Sequence, residues 1–323
     1  MTLREGDGAF RAGGNSEHWT EMTYGGALSF LRRRYSRDLA GVDVAVMGVP
    51  YDASVTYRPG CRLGPRAIRA ASVQLAELKA FPFGFSLPDS LAIVDRGDVM
   101  LDPHHPDSVA PAIEAAAAEV IASGAKLLAL GGDHFIAWPL LRAHAAHYGP
   151  LALIQVDAHG DLWPDDPGRL DHGTMMGRAI REGLVDPARS TQLGIRTFHE
   201  TTEGLEVLTA PWIHRNGIAA AIEVARDRAG EAPVYLSFDI DGLDPAFAPG
   251  TGTPVPGGLA SWQALEFVRG LKPLDLVGMD VVEVSPPFDH AEITALAAAH
   301  IAHDWLCVLA EQAGAVPVPV GRL

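Results

Sequence analysis

Four runs of β-forming residues in this chain each end in side chains of the kind that bind metal ions. Successive side chains of an extended strand point to opposite faces, so Asp157, His159 and Asp161 are expected to point one way. The same holds for Asp239 and Asp241. Five ionisable groups that converge at strand ends repel one another unless cations lie among them. The four endings are Gly131-Gly132-Asp133-His134, Asp157-Ala158-His159-Gly160-Asp161, Asp239-Ile240-Asp241 and Val282-Glu283-Val284.

Strand patterns alternate with helical patterns along most of the chain. Strands are predicted at residues 44–49, 91–94, 126–130, 151–156, 191–195, 233–238 and 274–282. A helix is predicted to begin near residue 64, and others at 108–123, 135–147, 173–182, 218–228, 260–270 and 292–313. This alternation predicts an α/β fold, with one mostly parallel sheet flanked by helices. Ligands of such sheets bind beyond the carboxyl ends of the strands, where the four endings would meet.

The sequence contains no linker, repeat or low-complexity segment that would divide it into domains. Residues 1–25 are rich in glycine and polar residues and have no sustained period, which predicts an irregular N-terminal arm. Residues 26–323 are expected to form a single domain.

The composition excludes several classes of protein. Hydrophobic residues make up 48% of the 323, enough for a sizeable core. The net charge of −15 argues against binding of nucleic acid and favours a small cationic substrate. Cys61 and Cys307 are the only cysteines and lie far apart, so neither a disulfide framework nor a thiolate metal site is expected.

Nothing in the sequence predicts contact with a membrane. No signal peptide is recognised, and the most apolar stretch, residues 293–309, contains His300, His303 and Asp304. Such a stretch is typical of a buried helix rather than of a membrane span. A soluble, cytoplasmic protein is therefore expected.

The donor set of the strand-end clusters indicates the metal. Carboxylate oxygens with a minority of imidazole nitrogens suit hard or borderline divalent ions such as Mn²⁺, with Ni²⁺ as an alternative. A two-metal site is the favoured interpretation. Other interpretations apply to single members of the set: a strand-end Asp often caps a helix, and Asp-x-Asp followed by Asp244-Pro245 also occurs in turns.

Further candidates lie at or near the strand ends. Glu283 follows an apolar run, and a carboxylate is costly to bury there unless it meets a cation. His172 stands in a loop before a predicted helix, and in isolation it would be interpreted as a surface residue. Asp133 and Asp244 are expected to cap turns or to orient other side chains, whereas the role of Asp280 is left open between such a function and a place in the site.

These motifs resemble the ureohydrolase family, the arginase and agmatinase group, over about residues 48–313. The segments DPAFAPGTGTP at 244–254 and EITALAAA at 292–299 are most similar to the agmatinase branch. The resemblance implies an arginase-like fold, a single three-layer α/β/α domain. It also implies hydrolysis of a guanidino group to urea and an amine, with agmatine giving putrescine as the first expectation. The assembly implied is a homo-oligomer, either a trimer or a hexamer.

The resemblance also implies a role for each candidate residue. Two metal ions, Mn²⁺ by expectation, would lie in the site. His134 and Asp161 would bind one ion and His159 and Asp241 the other, while Asp157 and Asp239 bridge. His172 matches a proton-shuttling histidine and Glu283 a guanidinium-binding glutamate. Asp161 is in addition placed to relay a proton to the leaving amine.

The sequence leaves the substrate open. Guanidinobutyrate, guanidinopropionate, guanidine, an alkylguanidine and a biguanide are alternatives to agmatine, and a non-catalytic subunit of a hetero-oligomer is a further one. Asp165, Asp166 and Asp171 favour a cationic tail, although Arg169 lies beside them. Many relatives carry Thr, Ser or Ala where this chain has Gly160. The resemblance also places the loop between Asp161 and His172 at the mouth of the site, so this loop is where substrate identity is undecided. A metal-dependent phosphoesterase is disfavoured because no ligand segment supplies an Arg or Lys to hold phosphate.

Overall fold

A computed structural model describes residues 22–76, 78–102, 104–166, 169–318 and 321 of the chain. The predicted N-terminal arm lies outside the described residues except for 22–25. There the backbone N–H of Gly25 donates to the carbonyl of Met22 in a turn.

The described residues form one nine-stranded sheet in which every paired strand is parallel. Its spatial order is β1-β3-β2-β4-β9-β8-β5-β6-β7. The strands are β1 Arg34–Tyr35, β2 Val44–Val49, β3 Ile93–Asp98, β4 Lys126–Gly131, β5 Ala152–Val156, β6 Thr191–Ile195, β7 Glu206–Thr209, β8 Pro233–Asp239 and β9 Asp275–Val282.

Helices cover both faces of the sheet. They are α1 Gly64–Ser72, α2 Leu87–Ser90, α3 Val109–Ala122, α4 Ala137–Tyr148, α5 Met175–Arg181, α6 Ala210–Asn216, α7 Ile218–Ala229, α8 Ser261–Gly270 and α9 Ile293–Gln312. Helices α3, α4 and α5 pack on one face, and α1, α2 and α6 to α9 pack on the other. The prediction of a single three-layer α/β/α domain is confirmed.

The central strands are apolar throughout because both of their faces are covered. In β2, Val44 and Val46 belong to the hydrophobic core under α1 and α9, whereas Ala45, Met47 and Val49 belong to the core under α3 and α4. All six residues of the strand are buried. A continuous apolar run is the pattern expected of a parallel strand between two helical layers.

The long C-terminal helix α9 lies inside the protein. It is the one helix of the described residues that is long and apolar enough to cross a membrane, yet 78% of its most apolar window is buried within the fold. Trp305 is fully buried, and Asp304 is paired with Arg269 at 2.7 Å. The helix is a core element, as the sequence predicted.

Four short elements were not predicted from the sequence, namely β1, β7, α2 and α6. In β7 only Leu208 is fully buried, so the strand has neither a continuous apolar run nor a clear alternation. Helix α6 follows β7 directly and has Pro211 as its second residue. With seven residues it is too short to show a helical period.

The topology brings the four ligand-bearing strands together. β4, β9, β8 and β5 are neighbours in the middle of the sheet and all run in the same direction. Their carboxyl ends therefore lie side by side at one edge. The structure therefore brings the four strand endings together, as the alternation of strands and helices predicted.

Candidate metal centre

Each candidate ligand stands where a central strand ends. His134 begins a short 3-10 helix, His134–Ile136, three residues after β4. Asp157 directly follows β5, Asp239 is the last residue of β8, and Glu283 directly follows β9. All four side chains are buried.

The first group of side chains surrounds the imidazole of His134. Its Nδ1 lies 3.1 Å from Asp157 Oδ2, 3.0 Å from Asp161 Oδ2 and 3.2 Å from Asp239 Oδ2. This nitrogen is buried and forms no hydrogen bond with any described residue. An imidazole nitrogen that faces three carboxylate oxygens without a hydrogen bond is a donor set that fits a divalent cation.

The second group is centred on His159. Its Nδ1 lies 3.1 Å from Asp241 Oδ2 and 3.4 Å from Asp157 Oδ1. Asp157 therefore presents one carboxylate oxygen to each group. This is the arrangement of a carboxylate shared by two neighbouring cation sites.

The side chains converge through turns rather than through the alternation of a strand. Asp161 has a positive φ of 51°, and the N–H of His159 donates to Asp157 Oδ1 at 2.6 Å. Asp241 lies in a 3-10 turn, and its N–H donates to Asp239 Oδ1 at 2.8 Å. The expectation that an extended backbone points these side chains one way is therefore wrong. Asp-x-Asp is both a turn and part of the cluster.

Polar side chains behind the ligands fix their orientation. His134 Nε2 lies 2.8 Å from Ser237 Oγ, which donates to Asp280 Oδ1 at 2.8 Å. Tyr235 donates to the other oxygen of Asp280. Asp280, whose role the sequence left open, thus orients other side chains and leaves Nδ1 as the nitrogen directed at the carboxylates.

Burial makes two carboxylates of the cluster, Asp161 and Asp239, hard to ionise without a cation. Burial and the charge of Asp157 raise the pKa of Asp161 to about 7. Burial and the charges of Asp241 and Asp157 raise the pKa of Asp239 well above its ordinary value. A divalent cation would remove this repulsion.

Glu283 and His172 form a second buried unit beside the cluster. Glu283 is fully buried with a positive φ of 65°. Its Oε1 accepts hydrogen bonds from the N–H of His134 and from His172 Nδ1, each at 2.8 Å, and its Oε2 lies 3.0 Å from Cys61 Sγ. His172 Nε2 accepts from the N–H of Thr56 at 3.0 Å. His172 is therefore not a surface residue.

A pocket leads from solvent to the cluster. Asp161, His159, Asp239 and His172 stand in its wall. Residues that the sequence did not identify complete the lining: Thr56, Gly173, Thr197, Phe198, His199 and Thr253, together with Gly160 and, from the loop between Asp161 and His172, Trp163.

The acidic residues expected to attract a cationic tail are not free. Asp165 accepts from Arg178 Nε at 2.8 Å and lies 3.3 Å from Arg181. Asp171 is 2.7 Å from Arg169. These arginines neutralise the two carboxylates, so the charge pattern of the loop does not by itself favour a cationic tail.

The paired glycines 131 and 132 make room for other parts of the protein rather than for a ligand. A Cβ on Gly132 would lie 1.9 Å from the carbonyl oxygen of Tyr51. The next residue, Asp133, donates its N–H to that carbonyl and accepts from Ser54 N–H. Asp133 and Asp244, which accepts from three backbone N–H groups, are both structural.

Three comparisons with known proteins agree with this geometry. The model of the arginase family matches residues 42–307. A protein of Chromobacterium violaceum named agmatinase is 58% identical over 306 residues, which cover 94% of this chain and 95% of that protein. The crystal structure of a hypothetical agmatinase from Burkholderia thailandensis has a TM-score of 0.91 and 55% identity, covering 95% of this chain and 98% of that one. Proclavaminate amidino hydrolase from Streptomyces clavuligerus has a TM-score of 0.86 and 39% identity, covering 90% and 99%. The chain belongs to the arginase family.

Proposed function

We propose that this protein is an agmatinase, which hydrolyses the guanidino group of agmatine to give urea and putrescine. The observation that carries the proposal is a buried carboxylate, Glu283, beside two groups of ligands that share Asp157. Relatives named agmatinase that are 58% and 51% identical to this chain support it.

The residues of the two groups would hold two divalent cations. His134 and Asp161 would bind one and His159 and Asp241 the other, with Asp157 and Asp239 between them. When bound, such a pair of cations lowers the pKa of water so that hydroxide is available near neutral pH. Mn²⁺ is the metal we propose, with Ni²⁺ as the alternative, because the donors are carboxylate oxygens and imidazole nitrogens.

Glu283 positions the guanidinium of the substrate. A carboxylate binds this planar cation through charge-assisted hydrogen bonds, which fix both its distance and its plane. The Glu283 carboxylate is itself held by the N–H of His134, the imidazole of His172 and the thiol of Cys61. The central carbon of the substrate is therefore presented in one orientation to the attacking oxygen.

Two residues handle the protons of the reaction. Asp161 takes a proton from the attacking water on a carboxylate oxygen and delivers it to the nitrogen of the leaving amine. His172 connects Glu283 to Thr56 in the pocket wall and so provides a route for protons between the site and solvent. Guanidinium and water give urea and a protonated amine, so no further reactant is needed.

The same site chemistry fits other guanidino compounds, because it acts on the head of the substrate. Alternatives are guanidinobutyrate, guanidinopropionate, guanidine, alkylguanidines and a biguanide. Among the similar structures, the one named proclavaminate amidino hydrolase makes such a panel worth testing. A non-catalytic subunit of a hetero-oligomer is a weaker alternative, because every candidate ligand and both His172 and Glu283 are present.

The proposal is tested by measuring urea release from this panel, with metal analysis of the same sample. We expect two metal ions per chain and the highest kcat/KM with agmatine. The variant Asp157→Ala should lose both metal and activity, while His104→Ala, at an exposed loop residue, should lose neither. Full metal loading without urea from any substrate would contradict the proposal, as would full activity in Asp157→Ala.

We further propose that the protein is cytoplasmic and assembles as a homo-oligomer, with residues 26–323 as its catalytic domain. Light scattering coupled to size-exclusion chromatography should give a mass three or six times the 34.3 kDa of one chain. A monomeric mass would contradict the proposed assembly without affecting the proposed reaction.

A further inference from the structure

Gly160 and His199 occupy adjoining space in the wall of the pocket. A Cβ added at Gly160 would lie 2.5 Å from Cδ2 of His199 and 3.1 Å from its Nε2. Because φ of Gly160 is outside the left-handed region, glycine is required here for space rather than for backbone conformation. A side chain at residue 160 and the imidazole in its present place exclude each other.

The loop that carries His199 is hydrogen-bonded to the Asp157–Asp161 segment and to the chain that follows Asp241. It follows β6, and its first residue, Arg196, donates its N–H to the carbonyl of Ala158 at 3.0 Å. The Arg196 guanidinium donates to the carbonyls of Leu243 and Val255, at 3.1 Å and 2.7 Å. Thr197 Oγ1 also donates to the carbonyl of Ala158. The backbone just before His199 is thus held in place by these hydrogen bonds.

The imidazole of His199 has no partner of its own. Neither ring nitrogen forms a hydrogen bond with a described residue, and Nδ1 is fully shielded from solvent. The ring lines the same pocket as Asp161, His172 and Asp239, together with Trp163. Nε2 is not among the shielded atoms, so it is the ring nitrogen that an occupant of the pocket can reach and hydrogen-bond.

We propose that His199 binds the end of the substrate remote from the guanidino group, and that Gly160 is required to make room for it. The inference rests on the proposed function, since it assigns the tail of a substrate whose head meets Glu283. The terminal ammonium of agmatine donates a hydrogen bond to a ring nitrogen of His199. The nearby carboxylates of Asp165 and Asp171 are already paired with arginines and do not take this role.

The test compares agmatine with 1-guanidinobutane, which has the same chain without the amine. In His199→Ala, the ratio of kcat/KM for agmatine to that for 1-guanidinobutane should fall about 10- to 100-fold, as expected for loss of a hydrogen bond to a charged group. The metal content should stay at the wild-type level. His104→Ala is the matched control and should leave the ratio unchanged, because its side chain is 88% exposed.

Gly160→Ala should reproduce this fall, since its methyl group displaces the imidazole. The double variant should fall no further than either single variant, because both changes remove one contact. Gly25→Ala is the control for the glycine, since a Cβ there meets only ordinary contacts and should leave the ratio unchanged.

An unchanged ratio in His199→Ala overturns the inference. A wild-type ratio in Gly160→Ala also overturns it. So does an equal fall of kcat/KM with both substrates together with loss of metal, because these residues would then support the ligand cluster. Failure of the proposed function has a different signature, namely a metal-loaded wild-type protein that releases urea from neither compound.

Discussion

At the scale of single residues, the most informative contacts are the hydrogen bonds that Glu283 accepts. Three donors from distant parts of the chain converge on a carboxylate that is fully buried. These donors, one of them the imidazole of His172 at 2.8 Å, stabilise the buried carboxylate and hold it in one orientation.

Glu283→Gln should keep its metals and lose turnover. The amide is similar in shape but has no charge for the guanidinium, and loss of one partner of a buried charged pair costs about 2–5 kcal/mol. We expect kcat/KM for agmatine to fall at least about 30-fold. Glu223→Gln, at an exposed residue of α7, is the control. Loss of metal or of folded protein in Glu283→Gln would instead make this residue structural.

Ser237→Ala should weaken metal binding although Ser237 is not itself a ligand. The change removes the hydroxyl that orients His134 through Nε2 and that links it to Asp280. Loss of such a partner costs about 10- to 100-fold in metal affinity. Titration of the metal-free protein with Mn²⁺ measures this, with Ser90→Ala in α2 as the control. Equal affinities in the two variants would contradict the orienting role.

The sequence predicts which ligands are candidates but not what surrounds them. His134, Asp157 and Asp239 are recognisable because each follows an apolar run that ends abruptly. Cys61, Thr56 and His199 reach the site through tertiary contacts, from loops whose local sequence has no period. Their place in the site is visible only in the folded structure, for example in the space beside Gly160 that the imidazole of His199 fills.

At the scale of elements, the strand ends concentrate acidic groups that bind protons when no cation is present. Burial and Asp157 raise the pKa of Asp161 to about 7. Burial lowers the pKa of His159, but Asp241 and Asp157 outweigh it and raise that pKa to about 12. Protons therefore compete with metal ions for the same atoms.

Metal affinity should consequently fall as the pH is lowered from 8 to 6. Below its raised pKa Asp161 holds a proton that the metal must displace, and each proton displaced changes the affinity about tenfold per pH unit. Calorimetric titration in two buffers of different ionisation enthalpy should detect proton release on binding at pH 7.5. An affinity that is constant over this range would contradict the prediction.

An element is predicted well where an apolar run coincides with it. The predicted bounds of β2 and β6 match the structure, because every residue of both strands is buried and the apolar run coincides with the strand. β7 and α6 are missed because they are short and only partly buried. The turns that aim Asp161 and Asp241 are also not predicted, since they depend on hydrogen bonds between loop atoms.

At the scale of the whole molecule, bound cations would link the central strands of the sheet to one another. The candidate ligands follow β4, β5 and β8, and Glu283 follows β9, which lies between β4 and β8. A ligand that binds only the folded chain stabilises it by about 3–4 kcal/mol when present at 100 to 1,000 times its Kd.

Removal of metal should therefore lower the melting temperature, and added Mn²⁺ should restore it. Differential scanning calorimetry before and after dialysis against a chelator measures the change. The variant Asp157→Ala, which lacks the shared carboxylate, should show little response to Mn²⁺. A wild-type melting temperature that does not respond to metal would contradict a centre that joins the strands.

The order of the strands in the sheet also determines when the site is completed. β4 and β9 are neighbours in space, yet Gly131 and Val282 are separated by nearly half of the polypeptide. Such pairing between distant segments is slow to form, and chains are synthesised from the N-terminus. A nascent chain that has not yet reached residue 239 lacks both Asp239 and Asp241. The proposed centre can therefore be completed only after residue 241 has been synthesised, although β4 and β5 are made before β8 and β9, the two strands that lie between them in the sheet.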